Sequence, residues 1–137
     1  MNIYVFKNKE LWKQCFVHKS KHGTRNYETL EWMGDSVLKL TISMFLVDQL
    51  KGASIKELNE TRAKLETNDC LCQMCKRLNW SSDIQLGTNQ KLNAKMQADV
   101  VEAVLCAVFM DSNYNMKVVV GVYTIMYYLV YPHKLIS

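Results

Sequence analysis

Apolar residues recur every three or four positions along most of the chain, the spacing that places them on one face of an α-helix. This periodicity covers six segments, residues 11–17, 26–50, 55–68, 69–78, 95–109 and 115–131. No segment of the sequence alternates apolar and polar residues between turn signals, as a half-buried strand would. The pattern therefore predicts an all-α protein.

Capping and breaking residues set the expected ends of these helices. Asn26 is a predicted N-cap for the longest helix. Ser54 and Glu57 have the spacing of a capping box, in which each side chain accepts a backbone N–H of the first turn. Residues 79–91 are rich in Ser, Gly and Asn and predict a loop, and Pro132 stops the last helix.

Length and composition place the chain among globular proteins. Its 137 residues predict a single domain over positions 1–137, long enough to bury one hydrophobic core. The longest apolar stretch, residues 118–131, is shorter than a membrane span and predicts a buried helix. The N-terminus lacks the pattern of a secretory signal, and five cysteines is an odd number. These features predict reduced thiols, no membrane partner and an intracellular, cytoplasmic location.

Three carboxylates interrupt an otherwise apolar run near the start of the longest predicted helix. Glu28, Glu31 and Asp35 are three and four residues apart, so they form one acidic stripe. Like charges at these spacings destabilise a helix, which leads us to expect a cation beside them. The apolar residues of the same stretch face a core or a partner, and they are Leu30, Met33, Val37 and Leu38.

A second acidic pair, Asp99 and Glu102, lies on the helix predicted over residues 95–109, with Lys95 on the same face. Small neighbours would allow another helix to approach closely, and these are Ala98, Ala103 and Ala107. If the two acidic helices pack together, four carboxylates converge. Oxygen ligands without His or Cys favour Mg²⁺ or Mn²⁺, and such a site suits phosphodiester hydrolysis. The alternative is that both pairs are solvated helix faces.

The first 25 residues are strongly basic, with six Lys or Arg against one Glu. Such an arm close to an acidic cluster suits a polyanion that is bridged through metal ions. A lysine-rich face exposed to solvent would give the same composition. The arm alone does not decide between these two interpretations.

Four segments closely resemble the sequence motifs of the ribonuclease III family. Residues 28–38 resemble the family signature N-E-x-L-E-[FW]-[LM]-G-D-[SA]-[VI]-L. Residues 95–103, followed by 109–112, are similar to K-x-x-A-D-x-x-E-A and [YF]-L-D-S. Residues 16–20 are similar to the T-H-[KR]-S element, and residues 58–68 to L-T-x-x-R-x-x-L-V-x-N. The resemblance covers nearly the whole chain in collinear order.

The resemblance implies a role for the acidic residues. The family's four metal-binding catalytic carboxylates are matched by Glu31, Asp35, Asp99 and Glu102. This match implies a Mg²⁺ site in which Mn²⁺ could substitute, and Lys95 matches a family lysine next to the scissile phosphate. The implied activity is endonucleolytic hydrolysis of double-stranded RNA in RNA processing, leaving 5′-phosphate and 3′-hydroxyl ends.

The resemblance also implies contacts with RNA and with a second copy of the chain. Three further matching positions are expected to contact RNA, namely Glu28, Arg62 and Asn68. Family domains are all-helical bundles that form homodimers, with the signature helix at the two-fold interface. Trp32 stands where an aromatic residue enters a socket on the partner, and Leu30 and Met33 lie beside it.

Three departures from the family pattern are visible. One residue, Tyr27, lies between Asn26 and Glu28, where bacterial members usually have none. Glu66 replaces the usual valine of the middle helix, and the segment after Pro132 is too short for the double-stranded-RNA-binding domain that many members carry. RNA binding is then expected to depend on basic residues of this domain, on a separate RNA-binding partner, or on a part of the protein outside this chain. Two other functions stay open, a non-catalytic RNA-binding or assembly relative and an all-α nucleotide pyrophosphohydrolase that holds magnesium with an E-x-x-E pair.

Overall fold

The computed structural model of the chain describes residues 3–132 and is all-helical, which confirms the predicted fold class. The helices are α1 (Lys9–Gln14), α2 (Glu28–Gln49), α3 (Ile55–Leu65), α4 (Asn68–Arg77), α5 (Ala94–Asp111) and α6 (Met116–Val130). A short 3₁₀ turn, Ser81–Asp83, lies between α4 and α5. Within the described range, extended pairing is limited to one parallel bridge between Val17 and Gln85. None of the helices between residues 3 and 132 is long and apolar enough to cross a membrane.

Helix α5 is the central element of the bundle. It packs against α2 and α4 over most of its length, and against α1 and α6 as well. Three of its alanines are fully buried, namely Ala98, Ala103 and Ala107. Short side chains at these positions let the neighbouring helices approach closely, as the sequence predicts. The core therefore surrounds α5, and acidic residues on this helix are held in a rigid setting.

Helix α2 has one face in the core and one face in solvent. The buried face is mostly apolar and includes Leu30, Val37, Leu38, Ile42, Phe45 and Leu46. Leu30 is only 3% exposed and packs in the chain's own core, so it offers little surface to the dimer interface predicted for it. Met33 is partly buried against the same core. Trp32 lies on the solvent face and is 79% exposed.

The N-terminus of α2 differs slightly from the prediction. Tyr27, not Asn26, is the N-cap residue, and its carbonyl accepts the Glu31 backbone N–H at 2.7 Å. Asn26 still satisfies a backbone donor, because its Oδ1 accepts the Glu28 N–H at 2.8 Å. Its amide donates to the His22 carbonyl at 2.8 Å, which holds the preceding loop against the helix. Asn26 therefore stabilises the turn that precedes α2.

Two other predicted boundaries can be compared directly. The capping box at the start of α3 is confirmed, with Ser54 Oγ accepting the Glu57 N–H at 3.1 Å and the Glu57 carboxylate accepting the Ser54 N–H at 3.2 Å. The first helix begins earlier than predicted, at Lys9, and ends at Gln14. It ends early because residues 16–18 pair with the backbone of Gln85.

Candidate active site

Helices α2 and α5 meet at Gly34, in the middle of the acidic stripe. A Cβ atom at Gly34 would lie 2.7 Å from the carbonyl carbon of Glu102, well inside van der Waals contact. Glu31 and Asp35 flank this glycine on α2, and Asp99 lies one turn before Glu102 on α5. The close contact therefore sets the separation of the two acidic pairs.

An open pocket of about 400 Å³ lies where α2, α5 and the start of α4 meet. Eight residues line it, namely Glu31, Trp32, Asp35, Ser36, Asn68, Lys95, Asp99 and Glu102. The structure thus brings together all four carboxylates that the sequence singles out, along with Lys95 and Asn68. We call this the carboxylate pocket.

Lys95 is the positive charge nearest to the carboxylates. Its Nζ atom donates to both carboxylate oxygens of Asp99, at 3.1 and 3.2 Å, and lies 3.8 Å from Oε1 of Glu31. The hydrogen bond to Asp99 is the main reason why the pKa of Lys95 is raised, so the ammonium group stays charged. Lys95 therefore connects the acidic residues of α2 and α5.

Burial and mutual repulsion raise carboxyl pKa values in this pocket. The pKa of Glu102 is raised to about 8. Burial is the largest cause, and the negative charges of Asp35, Asp99 and Glu31 add to it. Burial also raises the pKa of Glu31, and the charge of Asp99 adds to the effect. In Asp99 itself, burial raises the pKa although Lys95 opposes the shift. The pocket therefore holds more negative charge than Lys95 balances.

The residues of the carboxylate pocket fit a hard divalent cation. Between residues 3 and 132, no three His, Cys, Asp or Glu side chains are already arranged around a single ion position. The donor set is nevertheless made of carboxylate oxygens alone, the ligands that Mg²⁺ and Mn²⁺ prefer over softer metals. A doubly charged ion would also offset the repulsion among the carboxylates that, after burial, raises the pKa of Glu102.

A second pocket of about 200 Å³ adjoins the first at the start of α5 and shares Glu31, Lys95 and Asp99 with it. We call it the side pocket. Its additional lining residues include His18, Lys19, Tyr27, Glu28 and Asn93. Glu28 is exposed at the rim, where its carboxylate lies 3.7 Å from the Lys19 ammonium.

The segment that supplies His18 and Lys19 is anchored to the loop before α5. The His18 backbone N–H donates to the Gln85 carbonyl at 3.0 Å, and Ser20 Oγ accepts the Gly87 N–H at 2.9 Å. His18 Nδ1 accepts the Ser20 N–H at 3.1 Å. Sequence reasoning did not assign Lys19, Tyr27 or Asn93 to the site. The one sequence signal for a part of the site here was the resemblance of the stretch around His18 to a family motif. The pairing of this stretch with residues 85–87 is a long-range contact, which a periodic pattern does not reveal.

Arg62 is not brought to either pocket. Its guanidinium donates to Ser43 Oγ at 2.9 Å and to Asn59 Oδ1 at 3.3 Å, and its Nε lies 3.7 Å from Glu66. The contact with Ser43 joins α3 to α2, whereas the other two contacts lie within α3 and its C-cap. Glu66, the residue that departs from the family pattern, is therefore an ion-pair partner within the domain. Asn68, by contrast, is exposed at the mouth of the carboxylate pocket.

Two curated relatives share about a third of their aligned residues with this chain. Ribonuclease 3 of Francisella tularensis subsp. novicida is 34% identical over 114 residues, which are 81% of this chain and 49% of that protein. Ribonuclease 3 of Neisseria meningitidis serogroup C is 30% identical over 117 residues, 82% of this chain and 48% of that protein. The chain thus spans about half the length of these relatives.

Solved structures share the fold. The nuclease domain of ribonuclease III from Campylobacter jejuni has a TM-score of 0.86 and 23% identity, covering 94% of this chain and 92% of that one. Dicer from Pichia stipitis has a TM-score of 0.69 and 24% identity, covering 90% of this chain and 56% of that one. Residues 28–113, which contain all four carboxylates, match the family model of the ribonuclease III domain. The chain belongs to the ribonuclease III family.

Proposed function

We propose that this domain is a divalent-metal-dependent endoribonuclease that cleaves double-stranded RNA and leaves 5′-phosphate and 3′-hydroxyl ends. The observation that carries the proposal is the carboxylate pocket, in which Glu31, Asp35, Asp99 and Glu102 meet beside a lysine. The pocket is open to solvent, as a site for a polymeric substrate must be. Family membership supports the same reaction class.

Each group in the pocket has a role in this proposal. The four carboxylates hold Mg²⁺, for which Mn²⁺ substitutes. When bound, the ion supplies Lewis acidity and lowers the pKa of a water molecule. Lys95 now donates both its hydrogen bonds to Asp99. With a divalent ion at the carboxylates, the Lys95 ammonium group would be available to a phosphate oxygen and would neutralise part of its charge.

Exposed basic residues support binding of an RNA backbone at this site. The loop after α1 exposes Lys19, Lys21 and Arg25, and Lys19 lines the side pocket itself. Glu28 and Asn68, at the edges of the two pockets, are placed to contact the nucleotides next to the cleaved bond. Arg62 contributes only indirectly, because its guanidinium is engaged within the domain. Further grip on the duplex would come from a separate RNA-binding partner or from a region of the protein outside this chain.

The proposed active form is a homodimer that pairs through α2. The solvent face of this helix carries an apolar stripe made of Trp32, Leu40, Met44 and Val47. Several large apolar side chains exposed on one helix indicate an interaction site on a soluble domain. The study of the Campylobacter jejuni nuclease domain describes a region involved in dimer formation in that protein. Trp32 and the partly buried Met33 are the contacts we propose here.

Cleavage of a labelled duplex tests the proposal. The wild-type domain should cut a perfect RNA duplex with Mg²⁺, but not with chelator, and should spare the single strands. Glu102→Gln should lower the rate at least about 100-fold, because it removes one charged ligand from the site. The control is Glu60→Gln, which changes an exposed carboxylate on α3 and should retain wild-type activity.

The same assay separates the other functions considered for this sequence. Identical digests from the wild type and Glu102→Gln would contradict catalysis at this pocket and favour a non-catalytic RNA-binding relative. Hydrolysis of nucleoside triphosphates without cleavage of the duplex would favour a nucleotide pyrophosphohydrolase. End-group analysis tests whether the products carry 5′-phosphate and 3′-hydroxyl ends.

A further inference from the structure

The hydroxyl group of Tyr27 forms no hydrogen bond with any other described residue. The residue is 3% exposed, and its hydroxyl is buried without a hydrogen-bond partner among residues 3–132. Buried polar groups without a partner are uncommon in native proteins and each calls for an explanation. The hydroxyl lies beside the candidate metal centre, which suggests a function for it.

The ring of Tyr27 is held firmly in its place. Its backbone N–H donates to the Val17 carbonyl at 2.9 Å, and its own carbonyl accepts the Glu31 N–H at 2.7 Å. The ring of His18 packs edge-on against it, with a centroid separation of 5.8 Å. The backbone is thus anchored on both sides of the residue, and the hydroxyl is buried in the observed position.

The charged groups nearest to this hydroxyl are residues that we propose as metal ligands. Tyr27 lines the side pocket together with Glu31, Lys95 and Asp99. After burial, the charges of Asp99 and then Glu31 are the main causes that raise the pKa of the Tyr27 hydroxyl, so it remains a neutral donor. Both oxygens of Asp99 are at present engaged by Lys95.

We propose that Tyr27 is a positioning residue that donates a hydrogen bond to Asp99 when a divalent cation occupies the carboxylate pocket. With a cation bound, Asp99 would no longer be held by Lys95 through both of its oxygens, and its carboxylate could turn one oxygen towards the hydroxyl. Such outer hydrogen bonds orient ligating carboxylates, and their loss typically weakens metal binding about 10–100-fold. This inference rests on the metal site of the proposed function.

The chain offers a matched control in Tyr123. This residue of α6 is 0% exposed, and its hydroxyl is likewise buried without a hydrogen-bond partner among residues 3–132. It packs against Phe45 in the apolar core and lines neither pocket of the active site. Tyr27→Phe and Tyr123→Phe therefore remove the same atom from equally buried settings, and only one of these settings adjoins the carboxylates.

Titration with Mn²⁺ alone tests the inference, with the paramagnetic signal of the free ion as the readout. Tyr27→Phe should raise the Mn²⁺ dissociation constant about tenfold or more, whereas Tyr123→Phe should stay within about twofold of the wild type. Thermal melting without metal should show both variants folded, because each loses only an unpaired oxygen. The Mg²⁺ concentration at half-maximal RNA cleavage should rise in parallel for Tyr27→Phe.

The possible results separate this inference from the function on which it rests. Equal Mn²⁺ affinity of the two Phe variants would overturn the role of Tyr27 and leave the metal site intact. Absence of Mn²⁺ binding by the wild type would overturn both proposals. A weaker affinity in Tyr27→Phe alone supports both of them.

Discussion

At the scale of single residues, the balance of charge between Lys95 and the carboxylates governs the site. A single ammonium group contacts Asp99 and Glu31, while Glu102 has a raised pKa of about 8. The spacing of the acidic residues placed each acidic group on one helix face, and the family resemblance indicated which four carboxylates meet. The unpaired hydroxyl of Tyr27 could not be predicted, because its burial depends on the packing of the segment around His18 against the start of α2.

Asp111, the last residue of α5, carries a prediction about stability. Its carboxylate accepts the hydroxyl of Tyr4 at 2.9 Å and the backbone N–H groups of Lys7 and Asn8 at 2.8 and 2.9 Å. Burial alone would raise its pKa, but these hydrogen bonds outweigh that effect and the pKa of Asp111 is lowered. Asp111→Asn should lower the free energy of unfolding at pH 7 by about 1 kcal/mol, a small value because the group is partly exposed.

The pH dependence of this effect follows from the direction of the shift. A carboxyl whose pKa is lower in the folded state stabilises the fold above its unfolded pKa of about 4, and the contribution is lost as the pH falls through the folded pKa. Urea denaturation should therefore show a difference between wild type and Asp111→Asn that narrows from pH 7 to pH 3. Asp48→Asn, which alters an exposed carboxylate on α2, should not destabilise the protein at either pH. A difference that stays constant across this range would contradict the role given to the Asp111 charge.

At the scale of elements, the close contact of α2 with α5 at Gly34 connects packing to function. Gly34→Ala would place a Cβ atom against the Glu102 backbone and force the helices apart. We expect a loss of about 1–3 kcal/mol of stability from overpacking. The rate of RNA cleavage should fall about 100-fold, because a displacement of roughly 1 Å separates Asp35 from Glu102.

Gly121 provides the control for this substitution. A Cβ atom added at this position of α6 would meet no atom of residues 3–132 within 4 Å beyond its own stretch of helix. Gly121→Ala should therefore stabilise the helix by about 0.5–1 kcal/mol and leave the cleavage rate unchanged. Chemical denaturation of both variants measures the change in stability, and a duplex cleavage assay measures the change in rate. Wild-type activity in a folded Gly34→Ala variant would show that the helix separation does not set the geometry of the site.

The helices also differ in how well the periodic pattern of apolar residues predicts them. Long helices such as α2 and α5 were predicted from their apolar spacing, because each buries one continuous face against the core. The short α1 begins two residues earlier and ends three residues earlier than the pattern over residues 11–17 predicts. Phe16 and Val17 are apolar and fit the helical period, but their backbone pairs with Gln85 across the molecule. Contacts of this range leave no local signal in the sequence.

At the scale of the whole molecule, the apolar stripe of α2 predicts how two copies meet. Trp32 is 79% exposed in the single chain, so Trp32→Ala should leave the stability of the monomer almost unchanged. A buried aromatic anchor contributes about 2 kcal/mol or more to an interface, so the dimer dissociation constant should rise roughly 30-fold. Sedimentation velocity over a range of concentrations measures this change. Ile125→Ala, at a 47% exposed position on α6, is the control and should leave the dimer intact. Because Trp32 also lines the carboxylate pocket, an unchanged dimer with reduced cleavage would instead assign this side chain to the RNA site.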